Sequence, residues 1–152
     1  MSTRSTTHFV RGDRTEAIVY RHPDGYPEGH GRDLRRFFAA VENDTQDTRY
    51  NDPSYLAAKL VVWLAREFAQ SYEFDGEGGF TVTSHADKRP LDFISVGVVM
   101  EDPGDIEYRY IIHCDQIEDG RPVITCWDLG LNIYVPIPSD YPSAADVMAQ
   151  EG

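Results

Sequence analysis

Residues 20–31, YRHPDGYPEGHG, bring together two histidines, two carboxylates, two prolines and three glycines. No other stretch concentrates as much reactive chemistry. Three kinds of chemistry fit it. A glycine-bearing connection from strand to helix turns free N–H groups and the positive helix end toward whatever occupies the loop, so the segment suits a small anion or nucleotide. The ligand-binding set is then Arg4, Arg21, His22, Asp24, Tyr26 and Arg32, with the arginines supplying charge pairing. Against it, Glu28 and Asp33 put carboxylates at the same end, and neither GxxxxGK[ST] nor GxGxxG is present. Alternatively, His22, Asp24, Glu28 and His30 supply imidazole and carboxylate ligands for a metal that assists hydrolysis. Their spacing matches no zinc pattern and lacks the i, i+4 histidines of a helical hydrolase motif. The third reading is purely architectural: proline and glycine redirect the chain, Tyr26 fills an apolar gap and the polar residues face water.

The elements that must position this loop follow from periodicity. Thr7–Val10 and Ala17–His22 read as strands around the turn Arg11-Gly12-Asp13-Arg14. Arg-Gly-Asp here is turn chemistry, because an adhesion role needs export. Leu34, Phe37, Phe38 and Val41 fall at i, i+3, i+4 and i+7, the stripe of an amphipathic helix. Asp52-Pro53 marks the start of a second helix over 53–70, so nearly apolar that most of its circumference is expected to be packed. After the Gly-rich break at 76–79 the period becomes two. Phe80 and Val82 share a face, as do Ile94, Val96, Val98 and Met100, then Tyr108, Tyr110, Ile112 and Cys114, with Val123–Trp127 last.

The order ββααββββ predicts a two-layer α+β domain over 1–129: an antiparallel sheet of about six strands with two helices packed on one face. Residues 130–152 form a Pro-containing C-terminal extension with a short helix at 143–149, packed on the domain or on a partner subunit; the alternation of Ile133, Val135 and Ile137 favours the domain's own sheet. If the hairpin before Val123 is symmetric about Gly120, Cys114 and Cys126 sit opposite each other, two reduced thiols in core packing. His113 beside Cys114 makes a poor catalytic pair, since adjacent strand residues point to opposite faces. His8, His85 and His113 are given no role.

Composition limits the function. No run approaches the roughly 20 apolar residues that span a bilayer, and the start MSTRSTTHF lacks a signal-peptide core, so the expected location is the cytoplasm. The net charge of −12 is uneven: residues 1–36 hold seven arginines against five acids, and the remainder is strongly acidic. An acidic body repels phosphate backbones, which argues against direct nucleic-acid binding. It leaves two partner classes, an anionic small molecule at the Arg-rich part or a basic host protein at the acidic surface. No cofactor is called for.

STRSTTHF at the start, the YRHPDGYPEGHG loop, NDPSYLAAKLVVWLA and LDFISVGVVMEDPGDIEYRY together resemble a family of uncharacterised small phage- and prophage-type proteins. The resemblance implies no activity and carries over no catalytic residue. It implies host cytoplasm as the location and a non-catalytic binding role, such as a counter-defence inhibitor or a small-nucleotide sponge using the 20–32 loop. The metal-assisted hydrolase and a structural protein that forms a homo-oligomer are the alternatives.

Overall fold

Strands β1 (Ser5–Arg11) and β2 (Arg14–Arg21) pair antiparallel around a turn in which Gly12 adopts φ +63° and its N–H donates to Asp115 at 2.9 Å. The structure, a computed structural model, describes residues 2–68 and 95–139, and the backbone of 70–74 and 80–84. After β2 a single π-helical turn, Pro27–Gly31, runs directly into α1 (Arg32–Asp44). Its widened geometry is set by the Arg32 N–H, which reaches the carbonyl of Pro27 five residues back. Helix α1 buries the expected stripe of Leu34, Phe37, Phe38 and Val41.

Helix α2 (Pro53–Phe68) begins at the predicted proline and ends earlier than its periodicity suggests. Gln70–Phe74 is instead strand β3, which pairs with β4 (Phe80–Ser84) in a separate two-stranded sheet. Leu56, Leu60 and Leu64 are fully buried, but Val62 is 59% exposed, so one apolar flank of α2 faces outward rather than being packed all round. Ile94, the 76–79 break and the expected helix at 143–149 lie outside the described residues.

The main sheet has six strands in the order β5-β2-β1-β6-β7-β8, with β5 Val96–Val99, β6 Tyr108–Glu118, β7 Arg121–Asp128 and β8 Ile133–Val135. It is an α+β fold, as expected, but the sheet is mixed. β1 and β6 are parallel; every other pair is antiparallel. The cause is the entry of β5 at the outer edge of β2. β5 then runs in the same direction as β1 and β6, so residues 100–107 must cross beneath β2 and β1 before β6 begins. Phe9, Val19, Tyr110, Ile112, Cys114 and Cys126 join the apolar stripes of both helices in one core.

Cys114 and Cys126 are both buried, yet not opposite each other. Cys126 pairs with Tyr110, because the hairpin turns on Asp119-Gly120 rather than about Gly120 and its register then shifts between His113 and Ile117. Burial pushes both thiols up to about 12. Of the C-terminal extension, Val135 and Ile137 pack on the core, and Arg35 donates to the carbonyl of Pro138 at 2.7 Å.

Candidate functional site

The 20–31 loop is built around a buried polar knot. Arg21 points from β2 to the helix side of the sheet and is only 4% exposed. Its Nε donates to the Pro23 carbonyl (2.7 Å), and its Nη1 reaches Asp33 Oδ2 (2.6 Å) and His30 Nδ1 (3.1 Å). The planar group also lies 5.0 Å from the centre of the Phe68 ring. A guanidinium only donates, so Nδ1 of His30 must be the acceptor and the ring proton sits on Nε2, where it donates to Thr7 Oγ1 at 2.7 Å. The fully buried His30 ring meets Tyr110 edge-on at 4.9 Å. Burial, with the Arg21 charge beside it, holds the His30 pKa well below that of a free imidazole.

Gly25 closes the knot. Its carbonyl accepts from Tyr110 Oη at 2.6 Å, and its N–H donates to Thr3 at 2.8 Å. A methyl group there would lie 2.7 Å from Ser5 Cβ. The segment whose residue types suggested chemistry is thus a plug that ties β1, β2, β6 and α1 together.

The other expected residues are dispersed. His22 Nδ1 pairs with Tyr20 Oη at 3.0 Å, and Arg4 lies 3.4 Å from Asp105. Asp24 takes a positive φ of 58° and accepts from Tyr26 Oη at 3.3 Å. Tyr26 is 39% exposed rather than filling a gap. The Nε of Arg32 is buried without a hydrogen-bond partner among the described residues. The Arg21 guanidinium, expected to pair with a ligand, is spent on internal partners. His22, Asp24, Glu28 and His30, the expected metal ligands, are not assembled around a common point. Both ring nitrogens of His30 are occupied, Glu28 is exposed, and among the described residues no three His, Cys, Asp or Glu side chains gather to hold an ion.

Sequence reasoning missed a second polar centre on the opposite face of the sheet. Asp102, in the crossing segment, accepts from Thr6 Oγ1 (2.6 Å), His8 Nε2 (2.7 Å) and Arg109 Nε (2.6 Å). Burial works to raise the Asp102 pKa, but the three donors outweigh it and hold the carboxyl below its usual range. This carboxylate clamps the crossing segment to β1 and β6. Alternation places Thr6 and His8 on one face, but only the unforeseen parallel pairing brings Arg109 beside Thr6.

Two surface features also emerge from the tertiary structure. The β1–β2 turn, the end of α1 and the β6–β7 hairpin converge at one end of the sheet, joined by the Gly12–Asp115 bond, by Arg11 donating to Asn51, and by Arg121 on Glu42 at 2.9 Å. These segments carry Asp13, Glu42, Asp44, Asp47, Asp52, Asp115, Glu118 and Asp119 against Arg11, Arg14, Arg49 and Arg121; Glu42 and Asp52 are paired with Arg121 and Arg49, and Lys59 reaches the same end through the Thr48 carbonyl. Beside this acidic end, α1 and α2 enclose a shallow groove of about 150 Å³, lined by Phe37, Ala40, Val41, Asp44 and Thr45 from one side and Lys59, Val62, Trp63 and Arg66 from the other.

Compared with protein-family models, curated proteins and solved structures, the chain matches none.

Proposed function

We propose that this chain is a non-catalytic binding protein that works by occupying a basic protein surface, in keeping with the phage- or prophage-type inhibitor role, counter-defence included, that its sequence suggests. The observation that carries the reading is the acidic excess of the segments that meet at the turn end of the sheet, eight carboxylates against four arginines and Lys59. Such an end raises the encounter rate with cationic surfaces and rejects phosphate backbones. The sponge reading needs cations open to a nucleotide, and Arg21 is committed to Pro23, His30 and Asp33. The hydrolase reading needs several ligands around one point; His30 is closed on both nitrogens, and among the described residues no three His, Cys, Asp or Glu side chains gather.

Biolayer interferometry against immobilised basic DNA- and RNA-binding proteins tests the proposal, with sodium chloride raised from 50 to 200 mM. Salt-sensitive binding to at least one of them, lost when Asp13, Asp44, Glu118 and Asp119 are changed to lysine, is the expected result. Binding that survives those changes, or none at 50 mM, defeats the idea. A second reading, a homo-oligomer, is favoured by the exposed Leu131, Ile133 and Tyr134 on and beside the edge strand β8. Light scattering of Ile133→Lys beside the wild type decides it: a wild-type monomer counts against assembly.

A further inference from the structure

From the α1–α2 groove we infer a docking site for an amphipathic helical segment of the basic partner, with the segment's cationic end over Asp44 and its anionic end over Arg66. The inference rests on the binding role proposed above and names the part of the partner recognised.

Each wall is a helical stripe. Phe37, Ala40, Val41 and Asp44 stand at i, i+3, i+4 and i+7 on α1; Lys59, Val62, Trp63 and Arg66 repeat that spacing on α2. Arg36 reaches Glu67 at 3.4 Å while Lys59 donates to the Thr48 carbonyl at 3.4 Å, so the helices run antiparallel and Asp44 and Arg66 mark opposite ends of the groove. Seven residues of helix rise roughly 10 Å, the length over which two turns of a third helix present their own apolar stripe.

The floor is apolar, formed by Phe37, Val41 and the half-buried Trp63, and Val62 stands exposed at the rim. Charge selects the occupant. Lys59 keeps its charge at the Asp44 end while donating to the Thr48 carbonyl, so the preference for a cationic terminus there rests on Asp44 together with the neighbouring carboxylates of the 42–52 segment; Asp44 and Arg66 have no ion-pair or hydrogen-bond partner among the described residues. The Asp44 end opens onto the acidic end of the sheet, which attracts the same cationic terminus.

The test reads Trp63 alone, in a Trp127→Phe background. The probes are three synthetic helical peptides with one leucine stripe. The first carries lysines at one end and glutamates at the other, the second lysines at both ends, the third glutamates at both. The first peptide is expected to shift Trp63 emission most tightly, by about fivefold over either other peptide, the scale of one exposed ion pair. Arg66→Glu should reverse that order in favour of the second peptide, a change that altered folding does not produce. Val62→Glu, at an exposed position, should abolish the response. Equal affinity for all three peptides overturns the inference. So does a Trp63 shift that depends on protein concentration without peptide, which would make a second copy the occupant. If Trp63 is silent while basic proteins still bind with salt sensitivity, the groove fails and the binding role stands; if neither occurs, both fall.

Discussion

His30→Gln isolates the titration buried in the loop. The folded ring is neutral, accepting from Arg21 and donating to Thr7, and its pKa lies well below the free value of 6.5, first through burial and then through the neighbouring guanidinium. In the unfolded chain the same ring takes up a proton as the pH falls through 6.5. The unfolded state then binds more protons than the folded one, so stability is complete above pH 6.5 and drains away on acidification. The limiting slope below pH 6.5 is about 1.4 kcal/mol per pH unit for as long as the folded ring stays neutral. Glutamine preserves a donor toward Thr7 without titrating. The variant should be less stable than wild type at pH 7.5, because Arg21 loses a partner, and this deficit should shrink steadily as the pH falls. Urea unfolding followed by circular dichroism at half-unit pH steps gives both curves, and carboxylates common to the two proteins cancel in the difference. Parallel curves would refute the reasoning, since they mean that the folded ring takes up its proton as readily as the unfolded one.

Ser5→Ala should leave the urea midpoint unchanged or raise it, because the buried hydroxyl has no hydrogen-bond partner among the described residues. Gly25→Ala should lower the unfolding free energy by at least about 2 kcal/mol, since the added methyl meets Ser5 Cβ at 2.7 Å and the Thr3 carbonyl at 2.8 Å. Asp102→Ala strands three donors and should cost roughly 2–3 kcal/mol in the same assay. The Asp102 pKa is lowered in the fold, so the wild-type advantage should hold at neutral pH and fade only as the pH drops through the carboxylate range. Native protein at pH 8 should resist a thiol-specific disulfide reagent, with Cys114 and Cys126 both reacting after denaturation; rapid native labelling would contradict thiols held at about 12.

The sequence alone determined the local elements. The stripe of Leu34, Phe37, Phe38 and Val41 defined α1, Asp52-Pro53 placed the start of α2, and alternating apolar residues located β6 and β7. These signals are legible because each depends on neighbours within one or two turns or pleats. Long-range pairing was not legible in the same way. Whether β6 lies parallel to β1, and where the β6–β7 register slips, depends on contacts between residues about a hundred positions apart or on a bulge that leaves the alternation of Tyr110, Ile112 and Cys114 intact.

The same division explains the site. Residue types at 20–31 correctly marked a concentration of polar chemistry, but a guanidinium bound by a carboxylate and an imidazole inside the fold has the same sequence as one awaiting a ligand. Only the packing of Arg21 against Asp33, His30 and Phe68 decided that this chemistry holds the chain together. Conversely, the second helix read as packed on most of its circumference, and the rotation of α2 left Val62 and Trp63 on an open groove. Hydrophobicity sets how much surface must be buried, whereas the direction in which each helix is turned decides which of it stays available to a partner.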